Sequence, residues 1–179
     1  MPSSPEFLLR PATQADVQSM LDIFNDAIIN TTAVYYYEPN TLDMRQAWYD
    51  DKVKNDIPVL IAEVNGRVAG FASYGEFRTR PAYKYTVEHS VYVHPDFRKR
   101  GIARQLLEAL IAIAKQKEIH LLVAGIDGEN AVSIHLHEQL GFEPAGHIRQ
   151  VAYKFGRWLD LVFMQLTLEG PPHPNELTP

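Results

Sequence analysis

Apolar residues recur along this chain at two spacings, and the switches between them mark out its elements. Phe7–Arg10 predicts a short strand stopped by Pro11. Thr13 then reads as a helix N-cap with Asp16 in the first turn. Val17, Met20, Leu21, Phe24 and Ile28 follow at helical spacing, which carries the helix to about Ile29. Thr31 to Asn40 is a loop rich in aromatics (Tyr35, Tyr36, Tyr37), and Thr41 caps a second helix through Val53. Strands are expected at Val59–Glu63 and Arg67–Gly75, separated by the hairpin signal Asn65-Gly66, and again at Thr86–Val93.

After Pro95, Ile102, Leu106, Leu110, Ile113 and Ala114 predict a long helix. Leu121–Ile126 is an apolar strand, and Asn130 to Leu140 a short helix closed by Gly141. Two strands, about Glu143–Phe155 and Trp158–Thr167, meet at Gly156. The order β-α-α-β-β-β-α-β-α-β-β describes an α/β (α+β) fold. It is a mixed, mostly antiparallel sheet of about seven strands flanked by about four helices, not a doubly wound parallel sheet.

Composition narrows the function. The 179 residues fit one domain, taken as residues 1–169, with the proline-rich stretch 170–179 as a poorly ordered tail. Hydrophobic residues at 46% suffice for a core, and a mean hydropathy of -0.21 is that of an ordinary globule. A net charge of -5 gives a polyanion no global attraction, so no nucleic-acid partner is expected. No stretch approaches the roughly 20 apolar residues of a membrane helix, and Met1–Phe7 has no signal-peptide pattern. A cytoplasmic protein without membrane partner is the expectation. With no cysteine there is no disulfide, no thiol nucleophile and no Cys-based zinc site, and no other metal-ligand spacing appears.

The segment Val91-Tyr-Val-His-Pro-Asp-Phe-Arg98-Lys-Arg-Gly101-Ile-Ala103 carries the most information. A strand ends, a short basic loop follows, and a glycine opens a long helix. The first amides of a helix have no partner inside it, and the helix dipole adds partial positive charge there. With Arg98, Lys99, Arg100 and Arg104 this makes a pyrophosphate cradle; the alternative is a solvated basic loop. Neither a P-loop nor a dinucleotide-binding glycine pattern is present.

Arg98-x-x-Gly101-x-Ala103, after a strand and opening a helix, resembles the acetyl-CoA motif of the GNAT acetyltransferases. The second half of that pattern stands as Asn130-Ala-Val-Ser133-Ile-His-Leu-His137-Glu-Gln-Leu-Gly141-Phe142, and the element order matches from about Phe7 to Leu168. Within that superfamily the likeness is to the phosphinothricin and methionine sulfoximine acetyltransferases. It is carried by Asn30-Thr-Thr-Ala, Phe77-Arg-Thr-Arg-Pro-Ala-Tyr83, Thr86-Val-Glu88-His-Ser-Val-Tyr-Val93, Ser133-Ile-His-Leu-His137-Glu and Tyr153-Lys-Phe-Gly-Arg-Trp158-Leu-Asp160. Two departures are Ala103, where many relatives have glycine, and His89 beside the acid.

The resemblance implies direct attack of an amine on the thioester of acetyl-CoA, the co-substrate, with no acyl-enzyme and no metal. Glu88 is then the general base; read alone it is as well a surface strand carboxylate. The resemblance assigns polarisation of the thioester oxygen to the amide of Val93. His137 stands where most of the superfamily has tyrosine, and would serve the departing thiolate; otherwise it is a half-buried helix histidine. Asn130, Ser133, Ile134 and His137 share a helix face, so the first two would hold the pantetheine arm. The cofactor set is Val91, Val93, Arg98, Lys99, Arg100, Gly101, Ile102, Ala103, Arg104, Asn130, Ser133 and His137.

Arg78, Arg80 and Tyr83 follow the third strand, where the resembled family recognises the carboxylate of an amino-acid acceptor; for Arg80 an exposed polar loop is an equal reading. Tyr36 would form another wall. Relatives are dimers, so a homodimer is implied, in which Tyr153 and Trp158 either pack between subunits or belong to an ordinary core. Four classes stay in view: a small-molecule amine acetyltransferase, favoured; a protein or peptide N-acetyltransferase; a non-catalytic acyl-CoA sensor; and a nucleic-acid or scaffold protein.

Overall fold

In the computed structural model, residues 7–176 are described; Met1–Glu6 and the last three residues of the proposed tail lie outside the described residues. The elements are β1 (Leu8–Pro11), α1 (Val17–Asn30), α2 (Leu42–Lys54), β2 (Val59–Val64), β3 (Arg67–Glu76), β4 (Thr86–Val93), α3 (Ile102–Gln116), β5 (Leu121–Asp127), α4 (Ala131–Gln139), β6 (Glu143–Lys154) and β7 (Arg157–Thr167). The seven strands make one sheet in the order β1-β2-β3-β4-β5-β7-β6. Its β4–β5 pair is parallel, whereas β1–β2, β2–β3, β5–β7 and β6–β7 are antiparallel. This is the mixed sheet with four helices that the pattern of residues predicts. Three short 3-10 turns, Gln14–Asp16, Pro81–Tyr83 and Pro95–Phe97, add to it.

The backbone groups into two units, Met1–Ser73 with Ser90–Leu110, and Tyr74–His89 with Ile111–Pro179. In the first, the apolar stripe of α1 is buried: Val17, Met20, Ile23, Phe24, Ala27 and Ile28 cluster with Val59, Ile61 and Phe71. Ile102, Leu106, Leu107 and Leu110 of α3 are fully buried too. Each such side chain removed from water contributes about 1.5–3 kcal/mol. In the second unit, Leu122, Val123, Ala124 and Ile126 of β5 are buried, with Leu159 and Met164 of β7.

Turn chemistry fixes the registers. Asn65 and Gly66 both take positive φ (50° and 76°), as a two-residue hairpin of the primed type demands. Phe155 and Gly156 do the same (52° and 74°) between β6 and β7. The stretch after β7 is tethered where it is described: the Asn175 side-chain oxygen accepts from Lys84 Nζ at 2.6 Å and from the Tyr85 hydroxyl at 3.2 Å.

The start of α1 is held by charge rather than by Thr13 alone. Asp16 accepts from both terminal nitrogens of Arg10 at 2.8 Å and from the backbone and hydroxyl of Thr13 at 2.7 and 2.9 Å. The Arg10 guanidinium holds this carboxyl below its ordinary value. Asp16→Asn is expected to cost about 2–3 kcal/mol near neutral pH, read from urea melts. Because the folded-state value is depressed, the advantage is full above the ordinary aspartate range and is lost as pH falls through the lower value. Melts of variant and parent should therefore converge in acid; a constant gap would remove the charge from the explanation.

Candidate active site

The basic loop is built on a sequence of tight turns. His94 Nδ1 accepts from the Asp96 amide at 3.2 Å, capping the turn Pro95–Phe97. Lys99 and Gly101 then take positive φ (62° and 77°), a conformation only glycine adopts freely. The Gly101 carbonyl accepts from Gln105 N at 3.2 Å, so α3 starts at this glycine and its first amides have no partner inside the helix. A Cβ on Gly101 would meet nothing within 4 Å, which leaves the helix start open to a ligand. Arg98, Lys99, Arg100, Gly101 and Arg104 are exposed, Val91, Val93 and Ala103 half-buried. Ile102 is buried, with its Cγ2 near Gly70, so only its backbone is available to a cofactor. Arg98 is held by Asp26 at 3.0 Å and Arg104 by Glu108 at 2.9 Å, while Arg100 Nη2 donates to the Asp96 carbonyl at 3.1 Å.

In the same unit stands a cation that residue spacing did not flag. Arg45 of α2 is buried, with its guanidinium 3.9 Å from the Phe24 ring centroid and 4.7 Å from that of Trp48. Its Nε has no hydrogen-bond partner, and burial lowers its pKa to about 10. The exposed Tyr36 meets the same Phe24 edge-on at 6.2 Å. A lone arginine on a helix whose apolar residues form no single stripe gives no hint of burial.

In the other unit, Glu88 of β4 is half-buried, and burial raises its pKa against the opposing pull of Arg78. The ladder with β5 runs Thr86↔Leu121, Val87↔Leu122 and Glu88↔Val123. Glu88 Oε1 lies 2.9 Å from where a Gly125 Cβ would be, so this glycine leaves room for the carboxylate. A glycine inside an apolar strand commonly marks such a close approach, a signal that the strand reading of Leu121–Ile126 leaves unused. Arg78 lies over the Phe77 ring at 4.9 Å, and Phe77 meets Tyr83 at 5.9 Å and Phe163 at 6.5 Å edge-on. Carboxylate, cation and aromatic wall thus share one region. Arg80 precedes the turn Pro81–Tyr83, exposed, and among the described residues its side chain makes no hydrogen bond or ion pair.

Asn130 caps α4, its Oδ1 accepting from Ser133 N at 3.1 Å. His137, a half-buried helix histidine in the alternative reading, is buried at 3% exposed. Its Nδ1 lies 2.7 Å from the Ser133 carbonyl, and its Nε2 lies 3.0 Å from His89 Nε2. The two rings stack at 5.2 Å, with Phe142 against both. His89, in the sequence a departure beside Glu88, points to the opposite face of β4, as alternation along a strand requires.

The Acetyltransferase (GNAT) family matches residues 22–142 of this chain. The L-methionine sulfoximine/L-methionine sulfone acetyltransferase of Pseudomonas aeruginosa is 49% identical over 90% of this chain and 94% of its own. The chain belongs to the GNAT acetyltransferase family. Among solved structures, a GNAT phosphinothricin acetyltransferase from Sinorhizobium meliloti in complex with acetyl-CoA superposes with a TM-score of 0.90. It is 34% identical and covers 94% of this chain and 92% of its own. A ribosomal-protein-alanine N-acetyltransferase from Brucella melitensis superposes with a TM-score of 0.88 at 46% identity, covering 90% and 99%. This GNAT acetyltransferase has no group of three potential metal ligands among its described residues, and no described helix long and apolar enough to cross a membrane.

Proposed function

We propose that this GNAT enzyme transfers the acetyl group of acetyl-CoA to the amino group of a small amino-acid-like acceptor, of the phosphinothricin, methionine sulfoximine or methionine sulfone type. The observation that carries the reading is Glu88, a half-buried carboxylate with a raised pKa beside Arg78. Glu88 takes a proton from the ammonium group, directly or through water, since only the neutral amine attacks. The amine nitrogen then bonds to the thioester carbon, and the carbon–sulfur bond breaks. The Val93 amide stabilises the oxyanion between these events. With no cysteine in the chain, no thiol is available for an acyl-enzyme.

In this reading the pyrophosphate takes the amides at Gly101–Arg104 with Arg98, Lys99 and Arg100. Asn130, through its amide nitrogen, and Ser133 hold pantetheine, and His137 borders the sulfur. Arg78 and Tyr83 take the acceptor's carboxylate, with Arg80 and Tyr36 at its margins. Arg98→Ala is expected to weaken acetyl-CoA binding about tenfold by calorimetry; wild-type affinity would exclude the loop as the phosphate site. The reading also takes residues 1–169 as one catalytic domain with 170–179 as its tail, and the enzyme as a cytoplasmic homodimer. Tyr153, Phe155 and Trp158, exposed on the β6–β7 hairpin, favour a surface that a second copy covers.

A second reading, transfer to a peptide N-terminus, is favoured by the likeness to the ribosomal-protein-alanine enzyme. Thiol release from acetyl-CoA with a panel of free amino acids and short peptides separates the two. Turnover on methionine sulfone, methionine sulfoximine or phosphinothricin and none on peptides is the expected result. Turnover on peptides alone would move the acceptor reading to the second class.

A further inference from the structure

The hydrogen bonds of the buried His89–His137 pair can be counted proton by proton. The Ser133 carbonyl only accepts, and His137 Nδ1 lies 2.7 Å from it, so that nitrogen carries a hydrogen. In a neutral ring Nε2 is then a bare lone pair. His89 Nε2 lies 3.0 Å away, so the hydrogen between the rings belongs to His89. A neutral His89 is left with a bare Nδ1, and this buried atom has no hydrogen-bond partner. The Val123 backbone carbonyl lies near His89 and favours a protonated ring, but it makes no hydrogen bond of full geometry to Nδ1, so the shorter contacts of His137 decide where the two hydrogens sit. A third proton there would make the pair cationic, which burial opposes: His89 is pushed down to about 3, and His137 also lies below its ordinary value. Among the described residues, no carboxylate or cation side chain of α4, β4, β5 or the turn at Phe142 makes a hydrogen bond or ion pair with either ring.

We propose that His89 is a positioning residue for His137: its Nε2–H, given to His137 Nε2, fixes that ring's tautomer and rotamer and makes the pair one neutral unit in which His137 only accepts. The inference rests on the reading of the chain as an acetyltransferase whose His137 borders the sulfur, and it changes what His137 does there. A ring whose single hydrogen is already given to Ser133 has none for the departing thiolate. As the carbon–sulfur bond breaks, the electron pair stays on sulfur, and the thiolate takes its proton from water. The proton lost by the ammonium goes to Glu88.

Long-range nitrogen NMR of the uniformly labelled full-length enzyme tests the pairing without any turnover. Expected are a neutral Nδ1–H tautomer for His137, a neutral Nε2–H tautomer for His89, and a scalar coupling between the two Nε2 atoms, all steady between about pH 6 and 8. His89→Phe keeps a ring but removes the donor. It should lower kcat about tenfold with KM for acetyl-CoA unchanged. It should also raise the titration of His137 toward the ordinary histidine value, because the neutral form loses its donor. His89→Gln, which can still donate, should restore most of kcat and the low titration. A hydrogen on His89 Nδ1, no coupling, or a Gln variant as impaired as the Phe variant would overturn the proposal, and the first two stand even if His89→Phe does not fold. An enzyme that acetylates amines without the coupling fails the pairing alone; one that shows the coupling and acetylates nothing fails the functional reading.

Discussion

Glu88→Gln is expected to lower turnover by about 10²–10⁴-fold near neutral pH, with acetyl-CoA affinity unchanged. The amide keeps the shape and the room beside Gly125 but cannot take a proton. The pH dependence has a defined sign. Burial raises the Glu88 pKa, Arg78 opposing, so activity should rise with pH through a midpoint above the ordinary glutamate value. Stability runs the other way, because a carboxyl with a raised folded-state value favours folding when protonated and disfavours it as pH rises. The glutamine variant should therefore be no less stable than the parent at neutral pH while being nearly inactive. Stopped-time thiol release across pH, with thermal melts alongside, reads both. Unchanged kcat would remove Glu88 from the mechanism; a destabilised variant would make the loss uninterpretable as base removal and require Glu88→Asp, whose shorter carboxylate should retain part of the rate.

Most of the architecture was legible because each element carried a local signal. The α1 stripe, the Asn65-Gly66 turn, Gly141 past α4 and Gly101 before α3 each have one local geometry that suits them, and those geometries are what formed. Of the five apolar positions that predict the long helix, Ile113 alone is only partly buried. The three 3-10 turns were missed since three residues leave no periodicity. The site was legible in residue type and less so in state. Glu88 and Arg78 are singled out by the family resemblance, and no spacing along either element says that they act on one another. That Asn130 spends its side-chain oxygen on a helix cap, or that His137 is closed in by His89, depends on contacts between β4 and α4 that spacing along one element cannot reveal. Arg45 is the clearest case: its burial is decided by Phe24, Trp48 and Phe71, which come from three different elements.

Gly70→Ala is expected to damage fold and chemistry together, through one peptide plane. A Cβ at this position of β3 would lie 2.7 Å from the Tyr92 carbonyl oxygen, and 3.4 Å from Ile102 Cγ2 and Leu106 Cδ1. The oxygen is backbone and cannot swing away as a side chain would. Because the peptide unit is planar, moving the Tyr92 carbonyl also moves the Val93 N–H, the group proposed to hold the oxyanion. Ile102 and Leu106 are fully buried at the start of α3 and have no space to retreat. Overpacking of this kind costs about 1–3 kcal/mol, and for a chain of this size each kcal/mol lowers Tm by roughly 2–4 °C. Turnover measured well below the variant's Tm should fall about tenfold or more, as loss of an oxyanion donor does. Gly146→Ala is the control, since a Cβ there meets nothing within 4 Å, and both its Tm and its rate should match the parent. If Gly70→Ala melts early yet keeps its rate, the clash is real and the Val93 amide is not the oxyanion donor. If it melts and works like the parent, β4 has room that the Gly70–Tyr92 contact denies, and the close approach of the two strands is wrong.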